Sequence, residues 1–244
     1  MLSPVAAFVL GLTVVTSPVR SQMDETDQFL RRVERELEPV VPLVVGRCIL
    51  VPISTDITRR QYQDVVDSTL FAQLAADKQL LDNKTAASEW HNVYTRTAKW
   101  FWVTLRSVSI STSGQGTTTA NLADLVIENM EKSEALARAE ATSVKETLTS
   151  LQQPSNASPN SMFIARSRLG IFQVALVSDD DGQILLRVGT YHYSSGSFFS
   201  WTSSSNVFEY DKLVLHEGMV KKLRAEVTEK LGNKVNELVR EIHV

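Results

Sequence analysis

The sequence is poor in the residues from which disulfide frameworks are built. Its 244 residues include a single cysteine, Cys48, so no disulfide can form within the chain. Cys48 lies within the apolar stretch 40–53, and free cysteines are among the most buried residue types. We therefore expect Cys48 to be a buried core side chain; lipidation and a reactive free thiol are the alternatives.

Basic residues do not outnumber acidic ones. The chain has 25 Lys and Arg against 28 Asp and Glu, which gives a formal net charge of -3. Domains that bind nucleic acids usually present a basic face, so we expect no nucleic-acid partner.

Motifs for catalysis, cofactors and metals are also missing. The sequence contains no Gly-x-Ser-x-Gly elbow, no phosphate-binding loop and no dinucleotide fingerprint. The histidines are scattered, at His91, His192, His216 and His243, and none forms a His-x-x-x-His pair. We therefore predict no catalytic, cofactor-binding or metal-binding residues, and we interpret the chain as non-enzymatic. A hydrolase assembled from distant residues is the alternative.

The apolar segment near the N-terminus, residues 5–15, is too short to span a bilayer as a helix. Its length, and the small residues Val19 and Ser21 that follow it, are typical of a signal peptide. We predict a signal peptide over 1–21 and secretion, with an uncleaved membrane anchor as the alternative. On a eukaryotic secretory route, the sequons at Asn83 and Asn156 are candidate glycosylation sites.

Hydrophobic periodicity separates helices from strands along the chain. Spacing of three and four predicts helices over 24–40, 54–77, 85–99, 121–130, 133–151, 217–231 and 233–242. Alternation or β-branched content predicts strands over 40–53, 100–112, 162–168, 170–178, 183–193, 197–201 and 206–215, with a loop over 152–161.

The order of these elements indicates one α+β domain over 22–244. It is helix-rich over 22–151, strand-rich over 160–216 and helical over 217–242. Segregated helices and strands favour amphipathic helices packed on a largely antiparallel sheet, with a helical C-terminus. Within the strand 183–193, Val188 and Tyr191 fall on one face only if a bulge lies at Gly189.

Aromatic residues are concentrated in two short stretches. Trp100, Phe101 and Trp102 form one, and Phe198, Phe199 and Trp201 form the other. Packing between helix and sheet accounts for such clusters, but Trp and Tyr also favour the boundary between water and hydrocarbon. These six residues are our candidates for contact with a membrane or a protein partner.

Two groups of residues carry a resemblance to known proteins. The first is residues 67–76 with Glu89, Trp90, Tyr94 and Trp102; the second is residues 172–177 with Asp181, Gly182, Val188, Gly189, Tyr193, Trp201, 213–215 and 229–232. Together they resemble an uncharacterised family of bacterial and fungal proteins, some associated with virulence or toxin loci. This resemblance spans about residues 60–235 and implies a shared fold without catalytic residues. In architecture, the long helices and the hairpin after them resemble cytolytic δ-endotoxin-type proteins.

These features lead to one functional interpretation and two alternatives. We expect a secreted, non-enzymatic effector, toxin-like in character, that acts on a membrane lipid or a host protein. The first alternative is a secreted binding module for a protein or a small apolar ligand. The second is the hydrolase with dispersed catalytic residues.

Overall fold

A computed structural model describes residues 39–80, 87–112, 122–167, 170–193 and 206–244. Several predictions lie outside the described residues. These are the signal peptide 1–21, the helix beginning at Asp24, the sequon at Asn83, the strand 197–201, and Phe198, Phe199 and Trp201. In the described part of the chain, no helix combines the length and the apolar character that crossing a bilayer demands.

The described residues form one seven-stranded sheet, whose strands lie in the order β3-β6-β5-β4-β2-β1-β7. The strands are β1 Leu43–Val45, β2 Cys48–Pro52, β3 Trp102–Thr112, β4 Ile171–Asp180, β5 Gln183–His192, β6 Asn206–Leu215 and β7 Val239–Glu241. Only β2 and β4 pair in parallel; every other pairing among them is antiparallel.

Helices cover both faces of this sheet. They are α1 Arg59–Leu80, α2 Ala87–Ala98, α3 Leu122–Lys132, α4 Ala141–Leu151, α5 Ala157–Ser167, α6 Glu217–Leu231 and α7 Lys234–Leu238. The first apolar core joins α1, α2 and α6 to one face of the sheet. The second joins α3, α4 and α5 to the opposite face. The predicted α+β fold with a largely antiparallel sheet is therefore confirmed.

Local signals explain where the longest helix begins. Thr58 and Gln61 form a reciprocal capping box, in which Gln61 N donates to Thr58 Oγ1 and Thr58 N donates to Gln61 Oε1. The helix then presents Tyr62, Val65 and Leu70 to the first core. The helix predicted over 54–77 is confirmed as Arg59–Leu80, and it begins after the N-cap candidates in 54–58.

The apolar stretch 40–53 is a tight hairpin of two strands, where we predicted one extended segment. The turn between β1 and β2 is Gly46-Arg47, and Gly46 has a φ of +59°. A Cβ at this position would lie 2.3 Å from the Gln73 Oε1 atom. Glycine therefore meets two demands here, the left-handed backbone and the close approach of a helix side chain.

No bulge lies at Gly189, so the condition under which Val188 and Tyr191 would share one face is not met. Strands β4 and β5 pair without a register shift, and Gly189 lies opposite Val174. Because both faces of the sheet are covered, Val188 packs in the first core and Tyr191 in the second. A strand buried on two sides does not need all its apolar residues on one face.

Three other segments differ from the sequence prediction. The sequence predicts a loop over 152–161 and a strand over 162–168; the described residues 152–167 of these segments hold a 3-10 helix at Pro154–Asn156 followed by α5. The helix predicted over 133–151 begins only at Ala141, because Glu134 adopts a φ of 60° that interrupts helical geometry. The helix predicted over 233–242 ends at Leu238, where the chain becomes β7 and pairs with β1.

Candidate functional site

The end of the sheet next to α2 has an exposed apolar surface. Among the described residues, the exposed large apolar side chains are Val41, Trp100, Val103, Leu105 and Val244. Three of them lie between positions 100 and 105, in the turn before β3 and at the start of that strand. We call Trp100, Val103 and Leu105, together with the adjoining Val214, the apolar edge patch.

Strand register places two members of the apolar edge patch, Val103 and Val214, side by side. Val103 lies opposite Val214 in β6, and Val214 lies opposite Leu185 in β5. Directly paired residues of antiparallel strands point to the same face, so these side chains form one row across three strands. Leu105 lies at the register shift between Thr104 and Arg106, where the strand carries an extra residue.

The aromatic cluster at 100–102 is divided between surface and core. Trp100 is 56% exposed, whereas Phe101 and Trp102 are 2% and 3% exposed. Phe101 packs edge-to-face on Phe71, and the indole of Trp102 donates a 3.1 Å hydrogen bond to Ser68. Of these three candidates for membrane or partner contact, only Trp100 is accessible in the folded chain; contact through Phe101 or Trp102 would require them to leave the core.

A second feature lies between α2 and the sheet. His91 Nε2 and His192 Nε2 each lie 2.9 Å from the Glu209 Oε2 atom. We call these three residues the His–Glu cluster. Their side chains are 11%, 14% and 27% exposed, in that order.

Three separate elements hold the His–Glu cluster together. His91 belongs to α2, which is positioned by the stacking of Trp90 on Tyr94 against the first core. Glu209 lies opposite Thr190 in the β5–β6 pairing, so His192, two residues beyond Thr190, points to the same face as Glu209. Under the cluster, the buried Gln173 donates to the Thr190 hydroxyl.

Hydrogen bonds from the two imidazoles determine the ionisation of Glu209. The contacts with His192 and then His91 lower the pKa of Glu209 far below its ordinary value, although partial burial opposes this. A carboxylate that accepts two such bonds stays ionised, because its charged form is the one that is stabilised. The cluster therefore places the Glu209 carboxylate between two imidazoles, whose hydrogen bonds favour its charged form.

The His–Glu cluster does not have the geometry of a nucleophile–base–acid triad. The Thr95 hydroxyl lies 3.3 Å from His91 Nε2. This is the same ring nitrogen that contacts Glu209. The other nitrogen of His91, Nδ1, is buried without a hydrogen-bond partner. A triad uses one ring nitrogen for the nucleophile and the other for the acid. The His–Glu cluster is therefore not a triad of the serine-hydrolase type.

Sequence reasoning did not find the His–Glu cluster. The spacing of histidines along the chain gave no indication of this cluster, because His91 and His192 come together only through packing of α2 on the sheet. The available signal was weaker: His192 and Glu209 lie on strands that adjoin along the chain, with side chains on one face.

The remaining candidates have structural roles. Cys48 is buried in β2, and burial raises the pKa of its thiol well above the ordinary value. This matches the expected core side chain and leaves no accessible thiol for lipidation in the folded chain. Asn156 is also fully buried.

A glycan on Asn156 is incompatible with the folded arrangement, so that candidate is wrong here. Its side-chain nitrogen donates to the carbonyls of Ser150 and His243, and its oxygen accepts from His243 N. The side chain therefore anchors the C-terminal segment and has no free N–H or space for a sugar.

Two pockets among the described residues are small. One lies between α2 and strands β3, β5 and β6, and the other lies between α1 and α6; each has a cavity volume of about 10 Å³, roughly the space of one water molecule. Sites for small molecules usually enclose roughly 300–1,000 Å³. Neither pocket favours the small-ligand alternative.

Comparisons with known proteins do not assign the chain to a family. No protein-family model matches the chain, and no curated protein matches it either. A solved structure named "DELTA-ENDOTOXIN" is a weak structural neighbour, with a TM-score of 0.34 and 11% sequence identity over 84% of this chain and 89% of that one. The resemblance to a virulence-associated microbial family thus has no matching family model or curated relative.

Proposed function

We propose that this chain is a secreted, non-enzymatic effector of toxin-like character that binds lipid bilayers through the apolar edge patch. The observation that carries the proposal is the concentration of exposed Trp100, Val103 and Leu105 within six residues. Scattered exposed apolar residues are ordinary on a soluble protein, but a contiguous group marks an interaction surface.

The residue types in and beside the apolar edge patch are those that favour the boundary between water and a bilayer. Tryptophan prefers the headgroup region, where its ring is apolar and its N–H meets polar groups. The exposed Lys99 directly precedes Trp100, and the exposed Arg96 lies in the last turn of α2, where it donates to Gln79 Oε1. Cations beside an inserted aromatic ring add attraction to anionic lipids. A host protein with a matching apolar groove is the alternative occupant of this surface.

The test is binding of the protein to vesicles of phosphatidylcholine with and without phosphatidylserine, followed by cosedimentation. We expect the triple variant Trp100→Ser/Val103→Thr/Leu105→Ser to partition at least ~10-fold more weakly, because it removes the apolar contact area. The matched control is Val41→Ser, which removes an exposed apolar side chain outside the patch.

Two further readouts separate the parts of the proposal. A blue shift of tryptophan emission that is lost in Trp100→Phe would show that this ring enters the bilayer. Release of a trapped dye would distinguish permeabilisation, the toxin-like activity, from surface binding alone. Equal vesicle binding by the triple variant and the Val41→Ser control would refute the role of the patch, and no binding by the unaltered protein would refute the proposal.

A further inference from the structure

The His–Glu cluster points to a function that lipid binding does not use. We propose that His91, His192 and Glu209 bind one divalent zinc ion, which connects α2 to the sheet. The possible ligand atoms, one from each residue, all lie within 4.8 Å of one another. In the described part of the chain, no other group of three such residues converges in this way.

The distances between the donor atoms suit tetrahedral coordination. Bonds of about 2.0–2.2 Å place the ligand atoms of a tetrahedral zinc ion roughly 3.3 Å apart. Both His–Glu contacts measure 2.9 Å, and the three donor atoms all lie within 4.8 Å of one another. Small shifts of the side chains would therefore bring the three atoms to the spacing of a zinc site. The Nε2 atoms that now approach Glu209 are the atoms that would bind the metal.

The chemistry of the donors selects the class of ion. Two imidazole nitrogens and one carboxylate oxygen suit zinc and related first-row metals, whereas calcium and magnesium prefer sites built from oxygen. Three protein ligands leave a fourth position for water. The Thr95 hydroxyl lies 3.3 Å from His91 Nε2, so a polar group adjoins the proposed ligands.

The surroundings of the cluster favour a cation. Glu209 supplies one carboxylate, and Asp211, two residues further along β6, places a second carboxylate on the same face of the sheet. Glu209 retains about a quarter of its side-chain exposure, which gives an ion a route from solvent. The ligands come from α2, β5 and β6, so binding would stabilise the packing of α2 on the sheet by mass action.

Isothermal titration of the full chain with zinc chloride, after treatment with EDTA and dialysis, tests the proposal directly. We expect one equivalent to bind, the melting temperature to rise, and magnesium to produce neither effect. Cobalt(II) in place of zinc should give the visible absorption bands of a tetrahedral site with nitrogen and oxygen ligands.

Two ligand variants and one control locate the site. His192→Gln and Glu209→Gln each remove one ligand while keeping a side chain that can hydrogen-bond, and each should weaken zinc binding at least ~10-fold. His243→Gln changes an exposed histidine outside the cluster and should bind zinc as the unaltered protein does. Circular dichroism confirms that each variant is folded.

Either of two results would overturn the proposal. One is the absence of a stoichiometric zinc site in the unaltered protein, with weak surface binding only. The other is undiminished zinc affinity in both folded ligand variants. Vesicle binding is measured without added metal, so failure of the zinc site leaves the lipid-binding proposal separately testable.

Discussion

Gln73 lies in the middle of α1, fully buried, and its side chain takes the place of backbone hydrogen bonds. Its Oε1 atom accepts from Arg47 N at 3.1 Å, and its Nε2 atom donates to Val45 O at 3.0 Å. Both partners belong to the β1–β2 hairpin, whose turn contains Gly46. A single side chain therefore connects the longest described helix to the sheet through two polar bonds that water cannot replace.

Replacing Gln73 with leucine should destabilise the protein by about 3 kcal/mol, because it leaves a buried N–H and a buried carbonyl without partners. Urea unfolding followed by circular dichroism measures the change. The control is Gln79→Leu in the same helix, at an exposed position, where we expect a change within about 0.5 kcal/mol. Equal unfolding midpoints for the two variants would show that Gln73 has no such role.

At the scale of elements, the segment between α3 and α4 is held to β5 by a bidentate ion pair. Arg187 donates to both carboxylate oxygens of Glu140, at 2.8 and 2.7 Å, and also to the Ala135 carbonyl at 3.0 Å. Glu140 additionally accepts from Ala137 N. These bonds fix the irregular residues 133–140 on the second face of the sheet.

This ion pair should make stability depend on pH. Burial raises the pKa of Glu140, but the hydrogen bonds from Arg187 and Ala137 outweigh burial, so the net pKa is lowered. A carboxyl whose pKa is lower in the folded state stabilises that state above its unfolded pKa of about 4.3. The stabilisation is lost as the pH falls through the lower, folded pKa.

We therefore expect Glu140→Gln to reduce the free energy of unfolding by about 2 kcal/mol at pH 7. The difference from the unaltered protein should shrink as the pH falls below about 4. Urea unfolding at a series of pH values measures it. Glu128→Gln, which removes an exposed pair with Lys132, should show little effect at any pH. If Glu140→Gln lowered the free energy of unfolding by the same amount at every pH, the result would contradict the role assigned to the Glu140–Arg187 ion pair.

Across the whole molecule, the last described segment completes the sheet. Strand β7 pairs with β1, Ile242 is buried in the second core, and Asn156 binds the backbone of His243. These contacts join residues 239–243 to strand β1 and to Asn156, which are far away along the chain. Such long-range pairing is decided by the folded topology and not by the local sequence.

Removing residues 239–244 should therefore cost about 3–5 kcal/mol, from the loss of buried Ile242 and of the Asn156 hydrogen bonds. It also leaves β1 as an unpaired edge, which favours association between chains. Urea unfolding and light scattering report the two effects. Removing Val244 alone, which is 68% exposed, should change stability by less than about 0.5 kcal/mol. An unfolding midpoint that matches the full chain after the longer deletion would contradict the role of β7.

Local pattern was sufficient for much of the secondary structure. Helices α1, α2, α3 and α6 and strands β3, β4, β5 and β6 follow from periodicity and from turn and capping residues. The buried state of Cys48 follows from its apolar surroundings. These features depend on interactions between residues close in the chain, which the sequence shows directly.

Tertiary structure decided what local pattern could not. Because helices cover both faces of the sheet, apolar residues on either side of Gly189 can face opposite cores, and the strand needs no bulge there. Pairing with β1 makes residues 239–241 a strand. Packing also leaves Trp100 exposed while it buries Trp102, and it brings His91 next to His192 and Glu209. The physical reason is the same in each case. The free energy of these arrangements comes from contacts between residues far apart in the chain, and only the assembled sheet and helices determine which residues meet.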